Sequence, residues 1–264
     1  MKRRIKLYLQ RLGLYDRLRF SSAMNFYKRI THHPEIILHK RELEFYQSFL
    51  PSSSLFFDIG AHHGFKSAVF LEMGTTVVAC DPDPSNINLL KNKFRKQTSR
   101  IHIREIALGA KEGTASFLIH HPGSAFNTLN PYWKELLESD KIDRWNEKIE
   151  FEKDSITVPV TTLDTLIKQY GLPDFIKIDA EGYEKQILEG LTQKVPYLSF
   201  ECLLPEFIEP LKDCLYYLKK LSPAASFNIS VEEKLLFPSF LNAAEIETWA
   251  ANTSISHFEV IAAL

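Results

Sequence analysis

The stretch from Leu55 to Phe94, LFFDIGAHHGFKSAVFLEMGTTVVACDPDPSNINLLKNKF, constrains the fold more than any other part of the chain. Leu55-Phe56-Phe57 has the unalternating apolar character of a strand covered on both faces. Asp58-Ile59-Gly60-Ala61-His62-His63-Gly64 interrupts that run with two glycines. Gly60 has access to backbone angles closed to other residues and lets a ligand approach the main chain. Phe65 to Met73 follows with helical spacing, placing Ala68, Val69 and Leu71 toward a sheet, and Gly74 stops it. Thr76 to Cys80 is a second, β-branched strand, and it ends on Asp81.

Asp81 stands 21 positions after Gly60. A βαβ unit with an acid at this distance grips a ribose by accepting hydrogen bonds from its hydroxyls. The glycines do not follow the dinucleotide pattern G-x-G-x-x-G; they read D-x-G-x-x-x-G. A pyrophosphate wants several free N–H groups at a helix N-terminus, and Asp58 would repel it. A cationic, hydroxyl-bearing ligand suits the turn better. S-adenosylmethionine, with an ammonium, a sulfonium, a ribose and no phosphate, is such a ligand. The bland alternative is a glycine turn in an ordinary α/β protein.

The rest of the chain keeps the alternation. Strands are expected at Ile101–Leu108, Thr114–His121, Ser155–Val160, Asp174–Asp179, Tyr197–Cys202, Ser226–Val231 and Phe258–Ala262. Helices are expected at Thr161–Asp164 onward, Tyr183–Gly190, Phe207–Leu221 and from a capping box at Asn242 and Glu245 through Trp249. Such alternation implies a parallel sheet with helices on both faces and a ligand crevice at the carboxyl ends of the first strands. The segment from His121 to Thr157, which holds Asn127, Tyr132, Trp133 and Trp145, is long enough to be a lid or binding loop. With 264 residues, 45% of them hydrophobic, the chain can bury one large core.

Charge divides the chain unevenly. Net charge is −1, which speaks for neither nucleic acid nor membrane as a bulk partner. Yet residues 1–33 carry nine Lys or Arg against one acid, Asp16. Ile5, Leu9 and Leu12 recur there at helical spacing, so this segment reads as a basic amphipathic helix. It either docks on its own domain or lies on an anionic membrane surface. A further helix spans Glu35–Leu50, and Pro51-Ser52-Ser53-Ser54 is a linker. Residues 1–50 thus form a basic helical extension and 51–264 the α/β domain. Cys80, Cys202 and Cys214 lack metal or disulfide spacing and suit a reducing compartment as buried thiols. No apolar run is long enough to span a bilayer, and the N-terminus lacks the apolar core of a signal peptide. The expected setting is cytoplasmic, with peripheral membrane contact through the basic segment as an option.

A second constellation lies at Lys177-Ile178-Asp179-Ala180-Glu181-Gly182-Tyr183-Glu184, just past a buried strand. Together with D-I-G-A-x-x-G at 58–64, C-D-P-D-P at 80–84, A-L-G at 107–109 and T-L-D at 162–164, it resembles the FkbM family of S-adenosylmethionine-dependent methyltransferases. The resemblance covers about Phe56 to Cys202, over half of the chain. Two positions depart from the family's habit: His62, often Asn, and Asp81, often Glu. The resemblance implies a Rossmann-like class I methyltransferase fold with a seven-stranded sheet and an antiparallel last strand. It implies methyl transfer to a hydroxyl of a sugar, glycan or secondary metabolite. It assigns the cofactor to Asp58, Gly60, Ala61, Gly64 and Asp81, and the face of the transferring methyl to Asp179 and Glu181.

A hydroxyl is a poor nucleophile until its proton leaves, so a base or a metal is expected. Asp179 and Glu181 are the first candidates; their structural alternatives are a helix N-cap and a first-turn acid. His62, His63, His120 and His121 are weaker ones. Glu201 would complete a carboxylate cluster able to hold a divalent cation, although no metal is predicted. Asn86 is expected to cap or pack the helix after Asp81. Two other readings compete: a cofactor-fold adaptor using its basic N-terminus, and a nicotinamide-dependent dehydrogenase, which the absent G-x-G-x-x-G disfavours.

Overall fold

A computed structural model describes residues 33–50, 54–139 and 149–264. The basic amphipathic segment 1–32 and Trp145 lie outside the described residues. The chain begins with α1 (Pro34–Phe49), β1 (Leu55–Ile59), α2 (Phe65–Glu72), β2 (Thr76–Asp81), α3 (Pro84–Lys93) and β3 (Ile101–Glu105). It continues through β4 (Ala107–Leu108), β5 (Gly113–Phe117), α4 (Pro131–Glu138), β6 (Ile156–Thr161), α5 (Leu163–Tyr170), β7 (Phe175–Ile178) and α6 (Glu184–Leu188). The last elements are β8 (Tyr197–Leu203), α7 (Ile208–Leu221), β9 (Ser226–Val231), β10 (Lys234–Leu235), α8 (Ala243–Asn252) and β11 (His257–Ala263).

The main sheet has the order β10-β9-β11-β8-β7-β1-β2-β3. From β8 to β3 all pairs are parallel, and β11 runs against both β8 and β9. The sheet therefore has eight strands where seven are expected. The extra one, β10, is a two-residue return beside β9. Its turn puts Glu232 and Glu233 at φ 48° and 58°, the paired left-handed conformation whose twist matches a tight hairpin. The strand expected at Ile101–Leu108 is also divided. β3 stops at Glu105, Ile106 N donates to Asp81 O at 3.2 Å, and β4 joins a separate three-stranded sheet of order β4-β6-β5.

Two cores flank the main sheet. On one face α5, α6, α7 and α8 bury Leu166, Leu188, Leu215 and Ile246, with Trp133 of α4 in the same cluster. On the other, α1, α2 and α3 bury Tyr46, Phe70 and Leu90 against Phe56 and Phe175. Helix starts follow local chemistry. Asp83 and Asn130 accept from the N–H two residues on and are each followed by proline, which suits the first helical position. The capping box at Asn242 and Glu245 is present. All three cysteines are buried and unpaired. Among the described residues no helix is long and apolar enough to cross a membrane.

Helix α1 is fastened to the sheet by aromatic packing. Tyr46 is fully buried, with its ring 5.0 Å from Phe70 and 5.5 Å from Phe175 in edge-on contact. Truncating so large a buried ring leaves a cavity that costs about 3–5 kcal/mol. Tyr46→Ala is expected to lower the free energy of urea unfolding by that amount.

Candidate active site

The crevice at the carboxyl ends of β1, β2 and β7 forms because two loops meet main chain to main chain. Gly60 has φ 79°, and a Cβ there would collide with the carbonyl oxygen of Asp179. Asp179 N in turn donates to Ile59 O at 2.9 Å, and Gly60 N and Ala61 N donate to Cys80 O at 2.9 and 3.0 Å. Any side chain at 60 would push the two loops apart. Gly64, at φ 65°, serves packing: a Cβ would lie 2.5 Å from Leu90 and 2.6 Å from Phe94, the contact of α2 with α3. His62 takes the left-handed conformation too, at φ 46°, a region His and Asn tolerate better than most residues. That accounts for the exchange of these two residue types at this position.

Asp81 ends β2 inside the crevice and is 4% exposed. It accepts from His62 N at 2.7 Å, Asp83 N at 2.9 Å and Asn86 Nδ2 at 3.2 Å. Burial pushes its pKa up to about 6, against the opposing pull of these donors. Because the carboxylate only accepts, it fixes the Asn86 amide with nitrogen inward. Asn86 Oδ1 is left buried with no partner. One cavity is lined by Gly60, Asp81, Asn86, Asp179 and Glu181, among others, and no Lys or Arg is among its lining residues. An unsatisfied acceptor beside a buried acid calls for a hydroxyl or amine donor. A cavity with acids and no cation fits a sulfonium and an ammonium and does not fit a pyrophosphate. The residues present therefore fit S-adenosylmethionine, and the dehydrogenase reading loses its phosphate site.

The acids after β7 differ in charge state. Lys177, 3% exposed, places Nζ 3.1 Å from Asp179 Oδ2 and 3.7 Å from Glu259 Oε1. Burial raises the Asp179 pKa, but the neighbouring ammonium outweighs it and holds the group below the ordinary carboxylate range. The same acids keep Lys177 charged against its own burial. Glu181 goes the other way. Burial, then the charges of Glu201, Asp179 and Glu184, raise it well above the usual value. Its Oε2 accepts from Trp133 Nε1 at 3.2 Å, and its backbone is left-handed at φ 52°, a costly conformation held by its surroundings. Carboxylate oxygens of Asp179, Glu181 and Glu201 lie within 4.8 Å of one another. Asp179 has a built-in counter-cation in Lys177, and His257 Nε2 lies 2.6 Å from Glu201 Oε1.

The 180–182 loop is pinned from both sides. Glu184 Oε1 accepts from Ala180 N at 2.9 Å and Gly182 N at 3.2 Å. Thr128 Oγ1 donates to Glu181 O at 2.8 Å, and Asn130 Nδ2 to Gly182 O at 2.7 Å. The described part of the 122–157 segment is thus a buttress of the acid loop. Trp133, at its centre, is fully buried.

The expected residues fall into two groups. Gly60, Asp81, Asp179 and Glu181 line the cavity; Asp58, Ala61 and Gly64 do not. Asp58 is 2% exposed and accepts from Ser67 Oγ at 2.5 Å; burial raises its pKa. Of His62, His63, His120 and His121, only His62 lines the cavity. His120 and His121 engage the carbonyls of Glu150 and Pro122. Lys177, Glu184 and His257 are functional neighbours that the sequence reading passed over. A lysine between Ile176 and Ile178 is the one signal that pointed to buried acids, since a lysine is almost never fully buried unpaired.

The strand order, with β11 running against β8 and β9, defines a Rossmann-like class I methyltransferase fold. A family model described as the methyltransferase FkbM domain matches residues 58–219. The chain belongs to the FkbM methyltransferase family and is an S-adenosylmethionine-dependent methyltransferase. None of the curated protein sequences compared with it matches. Solved structures are similar at low identity. Precorrin-6y C5,15-methyltransferase from Geobacter metallireducens GS-15 is 10% identical, with a TM-score of 0.41 over 86% of each chain. A TehB-like SAM-dependent methyltransferase from Corynebacterium glutamicum is 13% identical, with a TM-score of 0.40 over 84% of this chain and 86% of that one. The METTL16 MTase domain is 12% identical, with a TM-score of 0.43 over 86% of this chain and 65% of that one.

Glu184 supplies a test of the pinned loop. Burial lifts its pKa from 4.5 to about 7. The folded protein then binds this proton more tightly than the unfolded chain. Stability therefore falls as pH rises from about 4.5 to about 7, by about 3 kcal/mol, and the loss is complete above that window. Glu184→Gln keeps the Oε1 acceptor for both N–H groups and removes the buried charge. The variant is expected to melt above the wild type at pH 8, with the difference closing toward pH 4.

Proposed function

We propose that the protein transfers the methyl group of S-adenosylmethionine to a hydroxyl of a sugar, glycan or other small metabolite. One observation carries this reading: the ribose-type acid Asp81 and the acids Asp179 and Glu181 line a single cavity. Bound there, the cofactor supplies an activated methyl on a sulfonium. Asp81 and Asn86 Oδ1 accept hydrogen bonds from its hydroxyls. Gly60 presents main chain to it, and Ala61 acts at one remove by holding the turn against Cys80 O. Asp58 and Gly64 act at one remove, Asp58 by holding Ser67 in the first turns of α2 and Gly64 by seating α2 on α3. Asp179, kept ionised, faces the methyl-bearing cation. Glu181, its pKa raised by burial and by its acidic neighbours, completes the wall with its Trp133 bond. Holding donor and acceptor in line is worth roughly 7–11 kcal/mol to a reaction of this kind. A non-catalytic adaptor would have no use for the strained backbone of Glu181.

Calorimetry is expected to show binding of S-adenosylmethionine and its demethylated product, and none of NAD. Asp81→Ala should weaken both, by about 1.5–3 kcal/mol for each lost hydrogen bond to the charged acceptor. Tighter binding of NAD than of S-adenosylmethionine would refute the reading. Labelled methyl from S-adenosylmethionine should enter a small-molecule extract of the source cells. Asp179→Asn should lower that transfer about a hundredfold or more while product affinity changes only a few fold, as expected for an interaction made in the transition state.

A further inference from the structure

A second cavity opens on the same edge of the sheet, on the α1 face, lined by Asp179, Lys177, Glu201, His257 and Glu259, among others. Asp179 lines both cavities, so the two share a wall at the residue that follows β7. The second cavity is built from strand residues whose side chains point to one face. Lys177 pairs with Ser199 in register, and Glu201 with Glu259.

This wall holds a pair of groups with the geometry of a proton acceptor. His257, the first residue of β11, sets Nε2 2.6 Å from Glu201 Oε1. A carboxylate accepts, so an ionised Glu201 puts a hydrogen on Nε2, and the neutral imidazole so oriented keeps its lone pair on Nδ1. The two acids nearest the first cavity are already committed. Asp179 is engaged by Lys177. Glu181 is engaged by Trp133 and does not line the second cavity. Glu259 Oε1 is buried without a hydrogen-bond partner, 3.7 Å from the Lys177 ammonium, and is available to a donor seated in the cavity.

We propose that this second cavity seats the methyl acceptor and that Nδ1 of His257, oriented by Glu201, takes the acceptor's hydroxyl proton. The proposal rests on the methyl-transfer reading above. As the O–H proton moves to Nδ1, the freed oxygen pair forms the O–CH3 bond. The S–CH3 bond breaks with its pair left on sulfur, which cancels the sulfonium charge. The imidazolium side chain, 61% exposed, then returns its proton to water. The lining also limits the acceptor. Asp179, Glu201, Glu232, Glu233 and Glu259 stand against the ammonium groups of Lys66 and Lys177. Even with Arg41 3.7 Å from Glu233 and His257 in the lining, the carboxylates outnumber the cations and favour a neutral or amine-bearing group over a phosphorylated or carboxylated one.

The test has two arms. In the first, His257→Ala should lower labelled methyl transfer into the source-cell extract about a hundredfold or more, leave the affinity for the demethylated cofactor product within a few fold, and recover activity with added imidazole. Transferred label should pass through an anion exchanger. Full transfer by His257→Ala, loss of transfer on chelation restored by magnesium, or label held on the anion exchanger would each overturn the proposal. In the second arm, ring nitrogen shifts of the cofactor-free full chain should show His257 as the Nε2–H form, with that preference lost in Glu201→Gln. A tautomer indifferent to Glu201→Gln also overturns it. If the wild type binds the cofactor product yet labels nothing, the methyl-transfer reading fails, and the nitrogen shifts still judge the dyad.

Discussion

One buried ammonium holds the acidic end of the sheet together. Lys177 sits in the middle of β7, between two apolar neighbours, and its charge would be prohibitively costly there without partners. Asp179 and Glu259 supply them, with Glu201 adding its charge to the same field. The dependence runs both ways. Without Lys177, several carboxylates would face one another in a poorly hydrated space, and breaking such a buried arrangement is strongly destabilising. The ammonium also separates two acids only two residues apart. It holds Asp179 below the ordinary carboxylate range, while burial and then three other acids raise Glu181. Environments of this kind push neighbouring carboxyl groups apart in their affinity for a proton.

The second constraint is steric. The meeting of Gly60 with the Asp179 carbonyl brings the cofactor turn and the acid loop to touching distance. The hydrogen bond from Asp179 N to Ile59 O holds them there. From the other side, Thr128, Asn130 and Trp133 tie the 122–139 segment to the same loop. The acids Asp179 and Glu181 are therefore positioned by three parts of the chain that are remote in sequence.

Much of this was legible in the sequence, for reasons that differ by residue. The strand–turn–helix at 55–73 and the acid at Asp81 could be read because a glycine turn between an apolar strand and a helix has few alternatives. Asp179 and Glu181 could be read because they follow a buried strand directly. His257 could not: its partner Glu201 is 56 residues away, and one histidine opening a strand carries no pattern of its own. The division of the 101–108 strand had only a faint signal, since alternation holds from Ile101 to Arg104 and breaks at Glu105, and the pairing with β6 shows the change of sheet. Gly64 is assigned to the cofactor by the family resemblance, and the packing that also requires a glycine there, against Leu90 and Phe94, has no signal in the sequence.

The small β4-β6-β5 sheet has a consequence of its own. Ala107, Leu108 and Phe117 from this leaf line the cofactor cavity together with Asp81 at the end of β2 and Gly60 in the turn after β1. The cavity is thus a seam between two hydrogen-bonded frames that the chain joins twice, at Ile106 between β3 and β4 and at Thr162 between β6 and α5. A change at Phe117, which carries no motif, would reshape the cavity from the small sheet while the acids held by the main sheet stay in place.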